Sequence, residues 1–156
     1  MNGEGLDTRA IVQVGLVVRD IERAIAAFSR LFGLPEPEII VTDPYQSART
    51  QYRGEPTEAR AKLAFFPMGP VALELIEPLG GPSTWREFLD ANGPGIHHIA
   101  LKAEGTDQVV ASLTEKGACL AQGGYYTGGR YTYLDTGPEL GFVLELLEDL
   151  DESGQD

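Results

Sequence analysis

The chain has one cysteine, Cys119, so it can close no disulfide of its own and build no thiolate metal cluster. The small apolar neighbours Ala118, Leu120 and Ala121 predict a buried hydrophobe at that position. Positive charge is scarce: 12 Lys and Arg stand against 24 Asp and Glu, a formal net charge of −12. A surface of that sign repels phosphate backbones and anionic lipid, which argues against nucleic acid and membrane as partners. No apolar run is long enough to span a bilayer, and the first residues show no basic segment leading into an apolar one. The expectation is a soluble, cytoplasmic protein. Histidine is rarer still, and both copies, His97 and His98, are neighbours in the chain.

Hydrophobic residues make up 42% of the 156, enough for one real core. Residues 1–9 and the acidic stretch 149–156 read as flexible ends. Val12–Val18 alternates as a strand, with Val12, Val14, Leu16 and Val18 on one face and Gln13, Gly15 and Val17 on the other. Asp20 then caps a helix with the stripe Ile21, Ile25, Phe28 and Phe32, which Gly33 and Pro35 end. Weaker strands are expected at Glu38–Thr42 and Arg49–Arg53, with 54–58 a loop. Lys62–Met68 and Val71–Glu77 form a hairpin about Gly69-Pro70. A linker at 78–83 leads to a short helix, Thr84–Ala91.

Beyond Gly93-Pro94-Gly95 the plan repeats. Gly95–Lys102 is a strand, and its alternation sends His97 and His98 to opposite faces. His98 shares a face with Ala100, whose small side chain leaves room beside an imidazole. A helix over about 106–116 turns Val109, Val110 and Leu113 inward. Cys119–Thr127 and Arg130–Thr136 meet across a Gly128-Gly129 turn, and Gly141–Glu148 is the last strand. Laid over each other at an offset of 85 residues, Val12–Leu16 and His97–Leu101 match Gln13 with His98 and Gly15 with Ala100. Ala72-Leu73-Glu74-Leu75-Ile76 likewise matches Val143-Leu144-Glu145-Leu146-Leu147. Two such units must share a sheet to bury their faces.

The overlay isolates four polar residues in apolar strands: Gln13, Glu74, His98 and Glu145. All stand on the first or last strand of a half. If the duplicated sheet curls, those faces look into one cup. Two buried carboxylates there would each cost several kcal/mol unless neutralised. A divalent cation taking N and O ligands would neutralise them.

The strand-helix-three-strand duplication, with Gly95-Ile96-His97-His98-Ile99-Ala100 and Val143-Leu144-Glu145-Leu146 strands, resembles the vicinal oxygen chelate superfamily over roughly residues 10–148. That group includes glyoxalase I, methylmalonyl-CoA epimerase, extradiol dioxygenases and antibiotic-resistance proteins. The resemblance implies an α+β fold: two tandem βαβββ modules, about 10–80 and 95–148, forming a curved mixed sheet around a metal-binding cup. It implies Gln13, Glu74, His98 and Glu145 as ligands of a divalent ion such as zinc, nickel, cobalt or manganese. The stretch Leu73–Leu79, with Phe88-Leu89 and Gly95–Ala100, is similar to the epimerase branch, although epimerases usually carry histidine at the Gln13 position. The Gln, Glu, His, Glu set itself resembles the eukaryotic type of glyoxalase I.

The implied chemistry is proton transfer at carbon beside a carbonyl, as in an epimerase or lactoylglutathione lyase, through an enolate or enediolate held by the metal. Glu145 would be the base and Glu74 a ligand and second proton carrier. The alternative is a small-molecule-binding protein of the same fold, of the resistance type. Small members of the group pair, so a homodimer taking a small-molecule substrate is expected. Gly128-Gly129 reads as a turn, Phe65, Phe66, Tyr125 and Tyr133 as core aromatics, and Trp85 as the anchor of the linker helix. Arg53 and Arg130 could meet an anionic group. Glu55 and Glu58 read as loop residues.

Overall fold

The computed structural model describes residues 5–151. In chain order the elements are β1 (Gln13–Val17), α1 (Ile21–Phe32), β2 (Ile40–Val41), α2 (Tyr45–Ala48), β3 (Gln51–Tyr52), β4 (Glu55–Pro56), β5 (Arg60–Met68) and β6 (Val71–Leu79). Then follow α3 (Thr84–Asn92), β7 (Gly95–Lys102), α4 (Thr106–Glu115), β8 (Cys119–Tyr126), β9 (Gly129–Asp135), α5 (Gly137–Leu140) and β10 (Val143–Asp149). All ten strands share one sheet, ordered β2-β5-β6-β1-β7-β10-β9-β8-β3-β4. β1 runs parallel to β6 and β7 parallel to β10, while the antiparallel β1–β7 pair joins the halves.

That order makes the duplication visible, β2-β5-β6-β1 in one half answering β8-β9-β10-β7 in the other. Laid flat, β2 and β8 would stand seven strand spacings apart, about 34 Å. Residues of both nevertheless line one cavity of about 530 Å³, so the sheet is curled into a half-barrel. The fold is α+β, as the resemblance implied.

Face alternation decides what lies inside and outside the curl. On the convex side α1 sets Ile21 and Ile25 against Ala64, Phe66 and Leu75, and α4 sets Val109 against Leu134, Leu144 and Leu146. On the concave side α3 puts Trp85 and Leu89 among Val17, Ala61, Ile76 and Tyr133. α1 starts where Asp20 accepts a hydrogen bond from the Arg23 N–H at 3.1 Å, and Gly33 ends it in the left-handed region at φ 66. α3 is capped the same way by Ser83, which accepts from the Arg86 N–H at 3.0 Å.

Several expectations change. Phe32 is exposed and only stacks on Phe28, because α1 outruns the sheet beneath it. Cys119 is exposed too: it is the first residue of β8, and its neighbour Ala118 is the one packed against the α4 core. The hairpin turn sits one residue earlier than predicted, at Thr127-Gly128, because Gly129 already pairs with Tyr126. Residues 55–56, read as loop, pair with 51–52, and that hairpin lies along the outer edge of β8. The expected flexible ends fall partly on 1–4 and 152–156, outside the described residues. Within them, Leu6 bridges to Ala103 and the Leu150 N–H bonds to the Gly128 carbonyl.

Candidate metal centre

The polar floor of the cup is built from two rows that cross the central strands. In one row Glu74 of β6, Gly15 of β1 and His98 of β7 stand side by side. In the next, Gln13 of β1, Ala100 of β7 and Glu145 of β10 do the same. Each row is one polar residue, one small residue and one polar residue. The duplication turns one row into the other.

The small residues admit the large ones. A Cβ on Gly15 would fall inside the His98 ring, against its Cε1, Nδ1 and Nε2 atoms, so only glycine lets the imidazole lie across β1. Ala100, credited from the sequence with making that room, instead separates Gln13 from Glu145.

The ring lies with Nε2 3.1 Å from Gln13 Oε1 and 3.0 Å from Glu145 Oε2. All three side chains are buried. Although Glu145 Oε2 is that close to the ring, it has no partner in hydrogen-bond geometry. Glu74 is buried beside them, and its carboxyl is pushed up to about 8, first by burial and then by the Glu145 charge, with His98 pulling it back. Burial opposes a charge on His98, yet the Glu145 carboxylate prevails and raises its pKa. Of the four residues singled out in the sequence, Gln13, His98 and Glu145 thus meet atom to atom, and Glu74 lies buried beside them with its proton equilibrium tied to Glu145 and His98.

Among the described residues no three His, Cys, Asp or Glu side chains form a ready metal cluster. The donor chemistry nevertheless suits a divalent ion: an amide oxygen, an imidazole nitrogen and two carboxylates, with one carboxylate oxygen buried and lacking a partner. Gln13, Glu74, His98 and Glu145 are the residues that would hold it.

Around this floor the cup is mostly aromatic and apolar, with Phe65, Trp85, Tyr126, Tyr131, Tyr133 and Leu147 among its walls. Tyr133 lies beside both histidine rings, centroids 5.1 Å from each, and accepts a hydrogen bond from the Trp85 indole N–H at 3.0 Å. Burial and then the two carboxylates hold its phenol well above the ordinary range. Gln122 accepts from the Thr84 N–H at 2.8 Å and donates to the Tyr131 hydroxyl at 3.0 Å, tying the start of α3 to the second half of the sheet.

Arg53 and Arg130 do not line the cup. Arg53 pairs with Glu87 at 2.8 Å, and Arg130 pairs with Glu148 at 2.8 Å and Asp107 at 3.2 Å. Glu55 and Glu58 do not line it either; besides Glu74 and Glu145 its one acid among the described residues is Asp43 at the mouth.

The two histidines break the expected alternation. The register slips between Gly15 and Leu16, so Gly15 pairs with His98, Leu16 with Ile96, and His97 has no partner on β1. This bulge turns both rings toward Tyr133, and their Nδ1 atoms stand 3.1 Å apart. His97 is held down to about 3, chiefly by burial and then by the His98 charge.

Residues 12–133 match the family model of the Glyoxalase/Bleomycin resistance protein/Dioxygenase superfamily. The uncharacterized protein YqjC of Bacillus subtilis (strain 168) is 39% identical over 59 residues, 38% of this chain and 42% of that protein. The match therefore spans about two fifths of the relative's length. A methylmalonyl-CoA epimerase from Mycobacterium tuberculosis superposes with a TM-score of 0.57 at 24% identity, over 96% of this chain and 90% of that one. A methylmalonyl-CoA epimerase in complex with methylmalonyl-CoA and NH4+ gives 0.61 at 21% identity, over 89% and 93%. At these identities the two structures speak for the fold.

Proposed function

Because the chain belongs to the Glyoxalase/Bleomycin resistance protein/Dioxygenase superfamily, we propose that its cup is a metal-dependent site for proton transfer at carbon beside a carbonyl, in an isomerase or lyase of the epimerase or glyoxalase type. The observation that carries this reading is the meeting of Gln13 Oε1, His98 Nε2 and Glu145 Oε2 at 3.0–3.1 Å on a buried floor. A zinc, nickel, cobalt or manganese ion bound there would act as a Lewis acid on the substrate carbonyl.

The remaining work falls to the chain itself. Glu145 takes the proton from carbon: its carboxylate faces the cavity with an oxygen that no hydrogen bond occupies. Glu74, pushed up to about 8, holds a proton at neutral pH in the metal-free chain and can pass it on. The Trp85, Tyr131 and Tyr133 wall is aromatic, and such a low-dielectric surface strengthens the charge interactions on the floor. With no Lys or Arg among the described residues that line it, the cup suits the uncharged, carbonyl-bearing end of a substrate. A thioester acyl group and a thiohemiacetal both meet that description.

The test is exchange of the α-hydrogen of a 2-oxo or thioester compound for solvent deuterium, at saturating metal. Glu145→Gln keeps the shape and one oxygen but removes the basic carboxylate, and should slow exchange by roughly a hundredfold or more. Exchange as fast as wild type in the loaded variant would place the base elsewhere. Absence of metal binding in wild type would favour a binding protein instead. We take the working form to be a cytoplasmic homodimer, supported by the exposed Ile40 and Val41 on edge strand β2. Sedimentation as a monomer across micromolar concentrations would count against that assembly.

A further inference from the structure

His97 is not a metal-ligand candidate, yet the bulge in β7 exists at that residue and brings its ring onto His98. The ring is buried, edge-on to Phe88 at 5.5 Å, Tyr133 at 5.1 Å and His98 at 5.3 Å between centroids. Only one proton fits between the two Nδ1 atoms, 3.1 Å apart, so one ring donates and the other accepts.

The direction follows from the far side of each ring. His98 Nε2 faces two acceptor oxygens, Gln13 Oε1 and Glu145 Oε2. Where that nitrogen gives its lone pair to a cation, the one proton of the neutral His98 ring is on Nδ1. His97 then has to present a bare Nδ1. Its own proton goes to Nε2, a buried atom with no hydrogen-bond partner in the structure. A neutral ring suits the aromatic enclosure.

We propose that His97 is a positioning residue: its unprotonated Nδ1 accepts the Nδ1–H of His98 and aims the His98 Nε2 between Gln13 and Glu145. The bulge is the backbone device that makes this possible, since regular alternation would send the rings to opposite faces. Partners of this kind commonly set ligand orientation and basicity in metal sites.

Two measurements test it, and both rest on the cup being a metal centre. The first is ring-nitrogen NMR of 15N-labelled, zinc-loaded wild type at neutral pH. The expected result is a proton on His97 Nε2 and none on His97 Nδ1; a proton on His97 Nδ1 overturns the proposal. The second is zinc affinity by competition with a chromophoric chelator, on variants confirmed folded by circular dichroism. His97→Leu should bind zinc 10–100-fold more weakly, roughly the usual cost of losing such a partner. His97→Asn, whose side-chain oxygen can stand near the lost Nδ1, should recover most of the affinity. Wild-type affinity in His97→Leu overturns the proposal. If wild type binds no zinc, the metal reading and the role of His97 fail together, whereas zinc binding with a proton on His97 Nδ1 overturns the role of His97 alone.

Discussion

Glutamine at position 74 would keep the size of a buried side chain while removing its proton equilibrium. In the metal-free chain Glu74 sits at about 8 against an ordinary 4.5, raised by burial and then by Glu145. That gap corresponds to on the order of 5 kcal/mol between the two protonation states. Because the folded chain holds the proton more tightly than the unfolded one, this contribution is fully present below pH 4.5. It is lost as the pH rises through about 8. His98 is raised as well, so its contribution has the same sign. Urea unfolding in the presence of a chelator, from about pH 5 to about pH 9, should show metal-free wild type losing several kcal/mol relative to Glu74→Gln. The two should nearly coincide at the acid end. Zinc should flatten the wild-type curve, since a bound cation neutralises the carboxylate without a proton. If wild type and variant fall in parallel in chelator, the carboxyl is ionised in the folded chain and the account of the floor is wrong.

Gly15→Ala should displace the His98 ring and abolish zinc binding, with about 1–3 kcal/mol lost to overpacking; unchanged zinc affinity would refute the row geometry. Tyr133→Phe strands the Trp85 indole N–H in a buried site and should cost about 1–3 kcal/mol in urea unfolding, with tryptophan emission shifted. Arg53→Ala breaks an ion pair whose side chains are half exposed, so a stability change beyond about 1 kcal/mol, or any large loss of activity, would show that Arg53 does more than pair with Glu87.

The rows of the floor were legible because strand alternation is local: once Gln13 was laid over His98 and Glu74 over Glu145, the two-residue period put all four on one face. The helix ends were legible for the same reason, through Asp20 and Gly33. Gly15 carried a signal that went unused, since glycine inside a strand often marks close approach by another group. The bulge at His97 carried none. It arises from a register slip against β1, some 80 residues earlier in the chain, and nothing in Gly95–Lys102 alone encodes it. Two-residue strands such as β3 and β4 are likewise creatures of their partners, and Cys119 was misplaced because local hydrophobicity does not say which of two neighbours, Ala118 or Cys119, turns toward the α4 core.

The β3–β4 hairpin has left the half of the molecule that encodes it. Tyr52 pairs with Gln122, Gln51 with Gly123, and the Arg53 N–H bonds to the Ala121 carbonyl. A chain severed between Asn92 and Gly95 would therefore yield a C-terminal piece whose β8 lacks its neighbour and an N-terminal piece carrying an orphaned ribbon. Mixed together, the pieces should reassemble, and each alone should be prone to self-association through the bare edge. What began as two equal copies has become a mutual dependence: the repeat can no longer be lost, swapped or expanded one unit at a time without also unmaking the seam that this ribbon sews.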